Sequence, residues 1–321
     1  MNYCIFDRFQ GAWLGSIIGA ALDDHSCRSE RAKIVQYQPP KWLLARAKLA
    51  EILITAPRLE ASLIANQLEQ IILGESISQT NFEVGKLADY ILLILLPLII
   101  FNVDNPDLVS KIVTQCNFKS RTNNIIEDVL IWNYLLALTL NKRFSFQETN
   151  VSSIVKQVFA GVEVKKTSLT EKLEIIAQAW EHGNSLNKLQ QELSNRSDLR
   201  QTSIALGVYC FASTPKDFML SVKRAAKLSN NMSLPITALT GVLSGAYNGL
   251  TGIPLRWHQF GSQNPTYRQN ELIAQKLLET WLGIYPTANK QFSYDFTLDI
   301  VAPPKQIQSR ASLNIISQRA N

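Results

Sequence analysis

Few residues in this chain have the types and spacing for chemistry. Asp23, Asp24 and His25 follow one another, and two carboxylates beside an imidazole could form a minimal acid/base group or a lone-metal site. The same tripeptide also reads as a polar loop that solvates the end of a helix. His258 stands next to Trp257 as a surface or packing pair, and His182 precedes Gly183, where a helix C-terminus mildly favours a cation. Three histidines in all leave little material for a histidine-rich metal centre. Cys4, Cys27, Cys116 and Cys210 lie far apart with no CxxC pair. That spacing argues against a zinc ribbon or a disulfide framework and suits core positions in a reducing compartment. No nucleophile elbow supports a Ser-His-Asp or Cys-His arrangement.

The elements that must position these residues read as helices throughout, because apolar side chains recur with helical rather than alternating spacing. Helices are expected over 42–56, closed by Pro57, and over 59–73, closed by Gly74. One helix is expected over 86–101, another over 106–116 behind Asn105, and a third over 125–140. The segment 168–180 starts at a Ser/Thr cap and stops at His182-Gly183. Thr214 as a cap, Pro215 at the first helical position and Asp217 near the positive end predict a helix running to about 228. Helices over 235–249 and 270–282 complete the set. Gly241, Gly245 and Gly249 recur every four residues, which suits either close approach of another backbone or a glycine-walled ligand groove. Beyond 288 the periodicity fails, and Pro303-Pro304 opens an extended tail. The expectation is an all-α fold with one compact domain over 1–287 and an irregular extension over 288–321.

Composition narrows the function. The 321 residues are 46% hydrophobic and 18% charged, which excludes an intrinsically disordered chain. The net charge of +6 is spread among acids with no basic block interleaved with aromatics, which argues against nucleic-acid binding. The exception lies after Ala302, where Lys305, Arg310 and Arg319 meet no acid. The first residues lack a basic start and apolar run, and the most apolar stretch, 90–101, is far short of the ~20 residues a bilayer span needs. A cytoplasmic protein with no membrane role is expected.

Three separated segments carry a family resemblance. Arg8-Phe9-Gln10-Gly11-Ala12-Trp13-Leu14-Gly15, continuing through Gly19 to Leu22, is similar to an opening "RFxGaLlGlaiGDALG" helix. Leu95-Leu96-Pro97-Leu98, followed by Asn105-Pro106-Asp107-Leu108, is similar to an "NGxxMRxxPl" helix and the turn after it. The segment from Ala238 to Gly249, then Ile253-Pro254 and Trp257, resembles "aiaGalaGAyyG…iP..W", and Asp217 through Lys227 resembles the helix before it. Together they resemble the ADP-ribosylglycohydrolase family, which includes the dinitrogenase reductase-activating glycohydrolases. The resemblance spans most of residues 8–282 and implies a compact multi-helical fold with orthogonally packed helices.

It also implies a chemistry that these residues do not match. The family holds two hard divalent cations with oxygen ligands from a Thr-Asp-Asp-Thr helix start, a Gly-Asp-x-Asp-Thr motif and an acid beyond the opening helix. Sliding the pattern onto this chain places the first motif at Pro40, Lys41, Trp42 and Leu43, and the second at Asn231, Met232, Ser233, Leu234 and Pro235. The opening aspartate falls on Ala20, and the acid beyond it falls near Cys27, with Glu30 the nearest Glu. The "NGxxMR" positions fall on Asp89 through Ile94, and a loop histidine of some members is absent from Arg121 through Asn124. Cations such as Mg²⁺ need carboxylate or hydroxyl oxygens, so no metal and no cofactor are expected. The resemblance then implies a pseudoenzyme that binds or regulates through a protein partner, with Lys305, Arg310 and Arg319 as partner-binding candidates and a nucleotide-like ligand left open. The alternative is a divergent, metal-independent hydrolase of ADP-ribosyl or related bonds using Asp23, Asp24 or His25. A scaffold subunit docking through the basic tail is a third. Trp42, Leu43, Met232 and Leu234 are expected to meet as an apolar floor of the old cleft, with Lys41 at its rim. The abundance of Asn, Gln, Ile and Leu suits an AT-rich bacterial genome.

Overall fold

Gly11, Gly15 and Gly19 face Gly245, Gly241 and Thr237 in turn, so the first helix and a late one run antiparallel with their backbones in contact. A Cβ at Gly15 would collide with the carbonyl of Gly241, and one at Gly241 with the carbonyl of Gly15. Each glycine gives up about 1 kcal/mol of helix propensity against alanine, and the close packing of two helix backbones offsets it. Of the two readings of the glycine repeat, close backbone approach describes Gly241 and Gly245. Gly249 does a different job: its φ of 72° ends the late helix. There the Asp7 carboxylate accepts from the Thr251 N–H at 3.1 Å and the Thr251 hydroxyl at 3.0 Å.

The computed structural model describes residues 5–23, 29–56, 60–74, 84–116, 125–141, 150–162, 167–194, 201–229 and 235–283. Among them the order is α1 (Ile5–Asp23), α2 (Glu30–Val35), α3 (Lys41–Thr55), α4 (Ala61–Gly74), α5 (Val84–Ile94), α6 (Leu96–Phe101), α7 (Pro106–Gln115) and α8 (Ile125–Leu140). Then come α9 (Val151–Gly161), α10 (Ser168–Glu181), α11 (Leu186–Ser194), α12 (Thr202–Ser213), α13 (Phe218–Ser229), α14 (Ile236–Asn248), α15 (Leu255–Ser262) and α16 (Pro265–Trp281). No strand occurs among the described residues, and the all-α fold class expected from periodicity holds. The α1–α14 pair forms the centre; α12 and α13 pack on α14, while α3 and α16 pack on each other and α16 on α1. No described helix is long and apolar enough to cross a membrane; Ile91 through Ile100 are instead buried inside the protein. Cys116 and Cys210 are buried thiols, pushed up to about 12 by burial and so chemically quiet.

The structure corrects three helix boundaries. The single helix expected over 86–101 is two helices that meet at Leu95, because Pro97 has no N–H to give the preceding turn and its ring crowds that turn's carbonyl. Thr214 does not start α13. It ends α12, its N–H bonded to the Phe211 carbonyl at 3.1 Å, and Asp217 takes the capping role by accepting from the Leu220 N–H at 2.9 Å. Pro215 falls in the turn between, where its carbonyl accepts from Asn248 Nδ2 at 2.8 Å. The last helix begins five residues before 270. Asn264 caps it through the N–H groups of Thr266 and Tyr267, with Pro265 at the first position. The same Asn264 amide donates to the carbonyls of Val35 and Tyr37, both at 3.0 Å, tying α16 to the end of α2.

Candidate functional site

Several expected site residues fall outside the described ones. Asp23 closes α1, but its side chain, together with Asp24 and His25, lies outside them. So do Met232 and Leu234, and the tail residues Lys305, Arg310 and Arg319. The meeting of Trp42 and Leu43 with Met232 and Leu234 therefore also lies outside them. On the other side of the expected cleft, Lys41 is the first residue of α3 and is exposed, while Trp42 and Leu43 are buried.

One turn further along α3, Arg46 is entirely buried, with 0% of its surface exposed. Its guanidinium lies 4.3 Å from the Trp13 ring centroid and 5.2 Å from that of Trp42. It donates to the Ser16 hydroxyl at 2.5 Å and to Asn270 Oδ1 at 3.5 Å, and its Nε has no partner. No carboxylate pairs with it among the described residues. Burial pushes its pKa down to about 9, which still leaves it charged at neutral pH. The indole faces supply the negative potential that a carboxylate would otherwise provide. This arrangement does not fit a divalent cation. Pro40, Lys41, Trp42 and Leu43 offer no side-chain oxygen, and the nearby Ser16 and Asn270 oxygens are already used by Arg46.

Glu30, the acid nearest the expected ligand position, begins α2 and is likewise committed. It accepts from Trp257 Nε1 at 2.8 Å and pairs with Lys223 at 2.8 Å and Arg256 at 3.5 Å. Desolvation pushes its pKa up, but the bonds from Lys223 and Trp257 and the charges of Lys223 and Arg256 outweigh it and hold the carboxylate below its usual range. His258 sits edge-on to Tyr267 with Nδ1 3.1 Å from the phenol oxygen, and burial lowers its pKa, so it packs as a neutral ring. His182 ends α10 with Nδ1 2.7 Å from the Gln178 carbonyl oxygen.

Sequence reasoning missed a second buried polar group. Asp89 on α5 and Asp128 on α8 are both fully buried and converge on the first turn of α12. The Ser203 hydroxyl donates to Asp89 Oδ2, and Gln201 Nε2 donates to Asp128 Oδ2 at 2.7 Å. Gln201 holds a φ of 57°, the one positive φ outside glycine among the described residues. Lys172 on α10 is buried as well and donates to the Ser168 hydroxyl at 2.9 Å. Burial pushes both carboxyls up to about 7, against the Ser203 bond at Asp89 and the Gln201 bond at Asp128, with Lys172 lowering both. The one signal in the sequence was an acid beside the apolar stretch of each of two helices, and nothing linear joins positions 89, 128 and 201.

No family model matches this chain, and no curated protein is similar to it by sequence. Similarity appears in three dimensions. A solved structure described as an "ADP-ribosylglycohydrolase-related protein complex" superposes with a TM-score of 0.56 over 86% of this chain and 99% of that one, at 18% identity. At that identity the likeness is one of fold, and the chain has the all-helical fold of an ADP-ribosylglycohydrolase-related protein.

Proposed function

We propose that this chain is a pseudoenzyme of the ADP-ribosylglycohydrolase type, a binding or regulatory protein that acts through a protein partner and has no dinuclear metal site. The observation that supports this reading most is Arg46. A guanidinium that stays charged at neutral pH stands behind the helix start where the family's first ligands would sit, and that start carries Lys41, Trp42 and Leu43 in place of acids. A divalent ion at this helix start would be repelled by that guanidinium, since like charges inside a protein are only weakly screened. Catalysis in this family, as the resemblance implies it, depends on charge stabilisation by the bound ions, and the described residues supply no replacement at this place.

Two measurements test the reading. Calorimetric titration with Mg²⁺ or Mn²⁺ at submillimolar concentrations is expected to be flat, and release of ADP-ribose from ADP-ribosyl-arginine or ADP-ribosyl-serine is expected to stay at buffer background. Metal-free turnover lost in Asp23→Ala or Asp24→Ala would replace the pseudoenzyme with the divergent hydrolase. The partner is sought by affinity capture with the full chain and with residues 288–321 removed. Loss of the captured protein on truncation assigns the contact to the segment holding Lys305, Arg310 and Arg319.

A further inference from the structure

The group formed by Asp89, Asp128 and the first turn of α12 has more acceptor atoms than its surroundings satisfy. Each carboxylate has one oxygen held, Asp89 Oδ2 by Ser203 and Asp128 Oδ2 by Gln201. The other oxygen of each, Asp89 Oδ1 and Asp128 Oδ1, makes no hydrogen bond among the described residues. Neither does Gln201 Oε1, on the same amide that holds Asp128, nor Thr202 Oγ1 between Gln201 and Ser203. Every one of these residues is at least nine-tenths buried. The carboxylates are close enough for the charge of Asp89 to disfavour ionisation of Asp128, and Glu127 adds to that effect. Among the described residues, Lys172 is a cation that acts on both.

We propose that Asp89, Asp128 and Gln201 form a buried binding site for one monovalent alkali cation at the start of α12. Two counts lead there. With both carboxylates ionised and Lys172 protonated, one negative charge is left over, and a buried net charge demands compensation. A proton on either Asp would balance the charge, but a single O–H can serve only one acceptor. A Na⁺ or K⁺ ion balances the charge and engages several oxygen lone pairs at once, and all the orphaned atoms here are oxygens. Oxygen donors suit hard cations, and the single surplus charge favours a monovalent one. The ion would join α5, α8 and α12, three helices that carry one donor group each, and so would stabilise the folded chain by linkage. This site is separate from the start of α3 and does not depend on the pseudoenzyme reading.

The test compares thermal unfolding of the full chain at pH 8 in sodium, potassium and choline chloride of equal ionic strength. Sodium or potassium is expected to raise Tm by roughly 2–4 °C over choline, and Asp128→Asn is expected to abolish the difference. Line broadening of the ²³Na resonance by the wild-type protein, reversed by excess potassium or by acid, gives a readout that needs no variant to fold. Equal Tm in the three salts with no broadening overturns the site and leaves the pair sharing a proton. A sodium effect that persists in both Asp128→Asn and Asp89→Asn also overturns it, since the ion then binds elsewhere.

Discussion

The guanidinium of Arg46 lies 4.3 Å from the centroid of the Trp13 ring, inside the protein and without a carboxylate partner among the described residues. Helix α3 thus presents its charge to an aromatic face on α1 rather than to an acid. The pairing leaves the interior behind the α3 start positive at neutral pH. Trp13 and Trp42 are both buried there, each with its ring facing the guanidinium.

Truncation at this cation–π cluster should be costly mainly through packing. Trp42→Ala is expected to lower stability by roughly 3–5 kcal/mol, as for other buried aromatic truncations. Arg46→Ala should cost about 2–5 kcal/mol, while Arg46→Met, which keeps volume and drops the charge, should cost less than about 1.5 kcal/mol. Urea denaturation of the three variants checks the order. An Arg46→Met variant as unstable as Arg46→Ala would mean that the charge itself, not the filled space, holds α3 against α1.

The α1–α14 contact makes a sharper test. Gly15→Ala and Gly241→Ala each push a methyl into the facing backbone, where no flexible side chain can yield. Each is expected to cost more than about 3 kcal/mol or to prevent folding. Gly183→Ala is the control, because its Cβ would meet nothing within 4 Å and only its φ of 63° is at stake, a cost of about 1 kcal/mol. Circular dichroism melts should separate the two classes. Equal melting temperatures across them would remove the close-packed glycine face from the account of the fold.

The acid pair should make stability depend on pH in a direction opposite to ordinary carboxylates. Burial raises both folded carboxyls from 3.8 to about 7, so between these values the folded chain binds more protons than the unfolded one. Stability from this pair is fully present below pH 3.8 and is lost as pH rises through about 7. In a choline buffer, unfolding free energy should therefore fall between pH 5 and pH 8, by an amount on the order of a few kcal/mol. His258, whose folded pKa is lowered, acts in the other direction below its unfolded value. The difference between wild type and the Asp89→Asn, Asp128→Asn double variant isolates the pair, and parallel pH curves for the two proteins would contradict it.

At Glu30 the expected result is architectural. Glu30→Gln keeps a hydrogen-bond acceptor for Trp257 but drops the charge facing Lys223 and Arg256. Because these are half-exposed ion pairs, the loss should stay within about 1 kcal/mol and shrink in high salt. Chemical denaturation at low and at high ionic strength measures it. A much larger loss would give the α2–α13–α15 junction an energetic weight that its exposure does not suggest.

Helical class was legible in the chain alone, because the spacing of apolar residues is a local property that each segment carries. The sequence placed 125–140 at its observed bounds and found His182-Gly183 at the end of α10. It also gave the glycine spacing that lets α14 approach another backbone. It could not say which backbone, and the answer, α1, lies more than two hundred residues away. At α13, Thr214 and Asp217 both have capping side chains within a few positions, and packing selects Asp217. The absence of acids at Lys41, Trp42, Met232 and Leu234 was legible as residue types. What stands behind the α3 start was not, since nothing in the residues around Arg46 marks it as buried. Its burial against two indoles, and the meeting of Asp89, Asp128 and Gln201 at one helix end, exist only in the packed chain. Burial and charge pairing are properties of the whole packed chain, and no stretch of sequence contains them.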